Sequence, residues 1–422
     1  GLLALGFHIH SDKEVALEHV DRFLDRLTQV QNVGGETVRT VLSSGGVATN
    51  ALVSEGQAYG MLIMGSVANS LPWWHPRRAL ALEQAYQLYK GWRVMAQRSG
   101  QWEGSRDTRF ETCQTDRATD GVTTLAQCGG AFGLTPPAFP PSPKEPPPPA
   151  APPRPPGSLP AEYPPRPPPP PPPPPRPDTA AAGSQHTCLP SWKWTRDLFE
   201  QIEIGSASDA DADAVLGMVL LVSAATKHPT EPHPEWLNNL ILMTYQTCVA
   251  FLHYNTIAHP RATRDAPNNL ASLYLPKLGS CFGGWDCISP SYLSPGHYRA
   301  FKDFVEHYAA LVELDATLNF APTPQAMAAQ WDSVIEGSIK VLNESVCASG
   351  LVSNWWVPSL AADLRQEVLS DQAPNGARST VRYGARWTPG TATCAHSQTV
   401  ADEFGSEASR TAWRLALTSI WY

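Results

Sequence analysis

With 422 residues and 42% hydrophobic content, the chain is long enough for two average domains or one large helical barrel around a real core. A net charge of -8 argues against a nucleic-acid partner, which would need a basic surface to replace counterions. No stretch approaches the roughly 18 uninterrupted apolar residues of a membrane span. The opening GLLALGF is short for a signal-peptide core and has no basic flank, so the start reads as a trimmed end.

In chain order, the first predicted element is a helix from Glu14 to Val30. It places Val15, Leu17, Val20, Phe23, Leu24, Leu27 and Val30 on one stripe, with Ser11 and Glu14 as a capping-box start. Further helices are expected near 54–69, 75–98, 210–226, 235–257, 296–317, 323–346 and 407–422, the second-last entered through Pro-Thr-Pro. No series of alternating strands is read. Helices in such succession imply an all-α fold of stacked antiparallel hairpins. The last helix runs into Tyr422 without a stop signal, so the chain looks cut inside an element.

Between the helices near 75–98 and 210–226 lies a different object. Residues 135–178 hold most of the 42 prolines, in runs such as PPRPPPPPPPPPRP. Proline fixes φ and removes the donor, so this insertion is expected as a polyproline II rod or a disordered tether. It divides one helical body into 1–134 and 179–422. The eight cysteines (113, 128, 188, 248, 281, 287, 347, 394) form no zinc-ligand array. Their even number fits disulfides in an oxidising compartment, although eight free thiols would suit an intracellular protein. A secreted protein is the reading adopted, with no metal and no organic cofactor implied.

Three acidic segments stand out. In Val53-Ser54-Glu55-Gly56-Gln57-Ala58-Tyr59-Gly60, Ser54 reads as an N-cap that puts Glu55 in the first helical turn. A glutamate there also simply complements the helix dipole. Two glycines in a helix opening call for close packing or ligand access. In Ser208-Asp209-Ala210-Asp211-Ala212-Asp213, the alternating acids suggest a calcium loop. Ala214 and Leu220 occupy the positions where that loop needs Gly and Glu, so the reading fails. In Glu407-Ala408-Ser409-Arg410-Thr411-Ala412-Trp413-Arg414, a carboxylate and two arginines share one helical face. Each segment alone is an ordinary helix start or an ion-paired helix.

Together, VSEGQAYGMLI, SDADADAVLGMVLLV and EASRTAWRLAL, in that order, resemble family 8 of the glycoside hydrolases. Two more stretches agree: Cys188 to Trp194, and Ser289-Pro290-Ser291-Tyr292-Leu293-Ser294-Pro295 with Tyr298 after it. The proline-rich run in turn resembles hydroxyproline-rich segments of green-algal extracellular proteins. The family resemblance implies an (α/α)6 barrel of six hairpins, incomplete here at its C-terminal end. It also implies inverting hydrolysis of a β-1,4-linked polysaccharide by a monomeric enzyme, a glucan being the expected substrate, with chitosan and xylan as alternatives. Glu55 is then the general acid, Asp209 holds the sugar distorted at the cleavage subsite, and Glu407 is the base. Glu407 stands where the family usually has Asp, and Asp402 and Glu403 are close enough to replace it. Arg410 and Arg414 would orient the carboxylates and keep the base ionised. Tyr59, Trp194, Trp285, Tyr292, Trp355, Arg410 and Trp413 are the expected substrate contacts.

Two rival readings differ in class. A carbohydrate-binding wall protein would keep aromatic residues such as Trp194, Trp285, Trp355 and Trp356 while losing turnover through the Glu407 change. Another helical toroid, a lyase or a terpenoid cyclase, lacks the acids a cyclase needs.

Overall fold

The helical periodicity of the sequence is realised almost throughout. The structure, a computed structural model, describes residues 2–43, 51–98, 189–198, 201–203, 205–228, 233–258, 273–280, 288–313, 323–346, 350–356 and 406–421. Its helices are α1 (Leu2–Leu27), α2 (Ser54–Ser70), α3 (Arg78–Arg98), α4 (Ser208–Thr226), α5 (Leu237–Asn255), α6 (Pro295–Glu313), α7 (Pro324–Ser345) and α8 (Ser406–Trp421). The class is all-α, as the spacing implies. The hairpins α2/α3, α4/α5 and α6/α7, with α1 and α8, are what the described residues contain of the expected ring. The proline-rich insertion lies outside them. No described helix is long and apolar enough to cross a membrane.

The first helix departs from expectation at both ends. α1 begins well before Ser11, so the Ser11–Glu14 pair does not start it, and it stops at Leu27. Leu17 and Leu24 are buried, Val20 and Phe23 pack against the core, and Val15, Leu27 and Val30 are exposed. The true stripe is thus narrower than the predicted one. Val30 belongs to a β-hairpin instead, β1 (Thr28–Val33) with β2 (Glu36–Val41), in antiparallel register from Thr28↔Val41 to Val33↔Glu36. Gly34 and Gly35 form its two-residue turn at φ 60° and 87°, the conformation that favours glycine there.

Short antiparallel strands fasten loops to the helices. β3 (Ala51–Val53) pairs with β4 (Lys193–Thr195), which pairs with β5 (Gln201–Glu203). This sheet joins segments from both sides of the proline-rich insertion. β6 (Thr256–Ala258) pairs with β7 (Tyr274–Pro276). Gln57 ties α2 to its surroundings: Oε1 accepts from the Val41 N–H at 3.0 Å, and Nε2 donates to the carbonyls of Arg39 at 3.0 Å and Leu88 at 2.7 Å. A buried amide with its oxygen and nitrogen both satisfied fixes orientation as well as burial.

α4 is apolar nearly all round and mostly buried, which is how a helix reads when neighbours cover every side. It packs on α2, α3, α5 and α6. The α2–α4 crossing depends on two glycines. A Cβ on Gly65 would fall 2.7 Å from the Gly217 carbonyl oxygen, and one on Gly217 would fall 2.8 Å from the Met61 carbonyl carbon. Gly60 likewise gives room to Val41, whose Cγ2 would lie 2.6 Å from an added Cβ, whereas at Gly56 such an atom would make only ordinary contacts. Close packing therefore accounts for Gly60 and leaves Gly56 unexplained.

Candidate active site

Two helix N-termini meet at one end of the α2–α4 pair. Each helix follows an extended residue, Val53 (φ -116°, ψ 143°) and Ala207 (φ -109°, ψ 118°). Ser54 is thus the first helical residue and not the N-cap. Its amide donates to the Trp192 carbonyl at 2.9 Å, and the Ser208 amide donates to that of Leu278 at 3.1 Å. Their successors, Glu55 and Asp209, occupy the first turns, where the helix dipoles favour negative charge.

α8 supplies the counter-charge. Arg410 Nη1 donates to Glu55 Oε1 at 2.6 Å and to Asp209 Oδ2 at 2.5 Å. Sharing one nitrogen, the two carboxyl oxygens stand no further apart than two hydrogen-bond lengths. The Tyr59 hydroxyl donates to the same Glu55 oxygen at 2.9 Å, as residues one turn apart can. The Arg410 guanidinium also lies over the Tyr292 ring, 5.5 Å from its centroid. Tyr292 ends a 3-10 turn (Pro290–Tyr292) whose last carbonyl accepts from the Tyr298 hydroxyl at 2.7 Å. Burial pushes the Tyr292 and Tyr59 phenols far up, reinforced by the carboxylates beside them, so both stay protonated.

One turn deeper the pattern repeats. Asp213, four residues after Asp209, faces Arg414, four residues after Arg410. Arg414 Nη2 donates to Asp213 Oδ2 at 2.6 Å, and Nη1 donates to the Ser291 carbonyl. His297 Nε2 lies 3.0 Å from Asp213 Oδ1, and all three side chains are fully buried. Burial alone would raise Asp213, but Arg414 and His297 outweigh it and hold the carboxyl below its ordinary range. Burial pulls His297 down despite Asp213, leaving it neutral, so Nε2 is the donor.

Asp211 points to the other side of α4, as a residue two positions on must. It accepts from Asn255 Nδ2 at 2.6 Å, while Ser206 donates to Asn255 Oδ1 at 2.9 Å. Burial raises Asp211 well above the usual carboxylate range. Burial also raises Asp209, with Arg410 opposing and Glu55 reinforcing, to about 6. The alternating acids therefore do three different things. Among the described residues no three His, Cys, Asp or Glu side chains converge as a metal-ligand set.

Of the expected site residues, Glu55, Tyr59, Asp209, Tyr292, Arg410 and Trp413 come together. Trp413 is half-buried, edge-on to Tyr59 at 6.2 Å and beside His297 at 5.9 Å. Trp355 packs with Tyr292 on Leu278. Trp194 is no sugar platform: it is 1% exposed in the middle of the β3–β4–β5 sheet, packed with Val33, Val38, Leu52 and Met95, and its indole donates to the Ser191 carbonyl at 2.8 Å. Trp356 packs on a small core cluster and donates its indole N–H to Glu344 Oε1 at 2.9 Å. Glu407 lies in the first turn of α8, its side chain outside what is described; Trp285, Asp402 and Glu403 lie outside the described residues. Arg414 is committed to Asp213 and Ser291, so its described partners do not include the expected base. Sequence reasoning missed Asp213, His297 and Asn255. The first could have been found from matching i, i+4 spacings, Asp209/Asp213 against Arg410/Arg414.

By sequence, the chain matches no family model, and no curated protein matches it. By structure, it is similar to an apo β-1,3-1,4-glucanase from Paenibacillus sp. X4, with TM-score 0.45 and 12% identity over 96% of this chain and 66% of that one. It is similar to a family 8 endoglucanase from Klebsiella pneumoniae, with TM-score 0.37 and 10% identity over 80% and 62%. It is similar as well to a cold-adapted family 8 xylanase, with TM-score 0.37 and 11% identity over 81% and 57%. The chain thus spans less than two thirds of the length of these three.

Proposed function

We propose that the protein is a secreted, monomeric glycoside hydrolase that cuts a β-1,4-linked polysaccharide with inversion, a glucan first among its substrates and xylan or chitosan next. The observation that carries this reading is the Arg410 bridge, which binds Glu55 and Asp209 through one nitrogen beside Tyr59 and Tyr292. Those same residues lie in the segments that resemble family 8.

In this mechanism Glu55, the more open of the two carboxyls at 37% exposed, gives its proton to the leaving glycosidic oxygen. Asp209, buried and braced by Arg410, accepts hydrogen bonds from the sugar at the cleavage subsite and holds its ring distorted. Water attacks the anomeric carbon from the opposite face and loses its proton to a base. An inverting pair stands about 6.5–9.5 Å apart to admit that water. Two carboxyl oxygens on one guanidinium nitrogen are too close for that, so Asp209 is not the base. The role falls to Glu407 or to its neighbours Asp402 and Glu403.

The test is reducing-sugar release from carboxymethylcellulose, lichenan, xylan and chitosan, with NMR of the first-formed anomer. Glu55→Gln should lower release by about 100-fold or more while glycan binding persists. Binding without release by the unaltered protein would favour the sugar-binding reading. A retained anomer would make Asp209 the nucleophile.

A further inference from the structure

We propose that Asp213 and His297 are positioning residues. They hold the Arg414 guanidinium on the deeper rung, away from Asp209, and so leave Arg410 to bridge Glu55 and Asp209. This rests on the hydrolase reading for its kinetic consequence, though not for its geometry.

The two rungs are built alike: Asp209 and Asp213 are one turn apart on α4, and Arg410 and Arg414 are one turn apart on α8. A fully buried arginine binds whichever carboxylate is best placed, because its charge cannot be left unpaired. Arg414 has two fixed acceptors, Asp213 Oδ2 and the Ser291 carbonyl. Asp213 in turn has two fixed donors, Arg414 and His297. His297 sits in the first turn of α6, next to Gly296, whose amide donates to Thr418 Oγ1 of α8 at 3.0 Å. A Cβ at Gly296 would lie 2.6 Å from that hydroxyl oxygen, so α6 and α8 touch at this point. The register of α8, and with it the height of Arg410 above the two carboxyls, is thereby set on the buried rung.

Among the described residues, the titratable groups that act on Asp209 are Arg410 and Arg414 from α8, Glu55 from α2, and Asp211 and Asp213 from α4; the phenols of Tyr292 and Tyr298 also adjoin it. Neutralising Asp213 removes one negative neighbour and frees Arg414 to turn toward Asp209. Asp209 must be ionised to accept hydrogen bonds from the sugar, so its titration bounds activity on the acid side, and that limb of the pH–rate profile must then move to lower pH. Simple loss of packing would lower the rate at every pH without moving that limb.

Three variants test this. His297→Leu removes the donor and should lower kcat by about 10–100-fold, KM changing much less, because displacements near 1 Å have that effect. His297→Gln puts an N–H near the place of Nε2 and should recover most of the loss. Asp213→Asn should shift the acid limb downward by about half a pH unit or more. Equal loss in His297→Leu and His297→Gln, or an unmoved limb in Asp213→Asn, overturns the proposal. If the unaltered protein cleaves no glycan, the hydrolase reading fails and imidazole 15N NMR decides alone. A neutral His297 protonated on Nε2, whose signal changes in Asp213→Asn, supports the rung; protonation on Nδ1 sinks it.

Discussion

Asp209 is the residue at which local chemistry and protein stability pull in opposite directions. Burial raises it to about 6, so the native state keeps a proton that the unfolded chain releases near the ordinary value of about 4. A raised native value stabilises the fold at low pH, and that contribution disappears as pH rises through about 6. The full effect is on the order of 2–3 kcal/mol. Asp209→Asn has no such proton to lose. Its melting temperature relative to the unaltered protein should climb between pH 4 and pH 7; a difference flat across that range would refute the assignment. Asp213 and His297 have the reverse sign, both lowered in the native state, and lose stability on acidification. Neither the raised nor the lowered values could be read in the sequence, where Asp209, Asp211 and Asp213 are equivalent beads on one helix. Only the faces they turn to separate a carboxyl that shares Arg410 with Glu55, one raised by burial beside Asn255, and one held low by Arg414 and His297.

At the scale of elements, the contact between α2 and α4 is where small residues matter most. Gly217→Ala brings a Cβ to within 2.8–2.9 Å of the Met61 and Leu62 backbone, atoms that cannot swing aside as a side chain would. The helices must separate, at a cost of about 1–3 kcal/mol. Urea unfolding should register that loss, and the proposed glycan cleavage should fall with it, because Glu55 and Asp209 ride on these two helices. Unchanged stability would mean that the crossing is looser than its geometry. Helices were the legible part of this fold, since apolar spacing repeats over several turns and survives an error of a residue or two. Strands of three to six residues offer no such averaging. The β1–β2 hairpin was nevertheless written in Gly34–Gly35 between alternating residues, and the stripe through Val30 hid it. Trp194 misled for a related reason: a tryptophan beside a motif reads as a ligand platform, and only cross-strand neighbours reveal that it is core.

Across the whole molecule, the candidate site joins positions distant in sequence: Glu55 before the proline-rich insertion, Asp209 after it, and Arg410 near the other end. Motif order made that convergence legible without showing which arginine meets which acid. The all-α class was equally legible, whereas nothing local in the sequence marks Asn255 or His297 as partners of these acids. One further residue of α5 has a practical use. Cys248 is a free thiol, fully buried among the apolar side chains of the main core, and burial pushes its acidity far down. A thiol reagent can reach it only when the helices around it come apart. Its alkylation, followed by mass spectrometry of the peptide that contains it, is therefore a built-in clock for global opening. In native buffer it should lag behind any surface cysteine and quicken with urea as steeply as unfolding itself. Rapid labelling with no urea dependence would reveal a breathing motion around α5 that the packing gives no reason to expect.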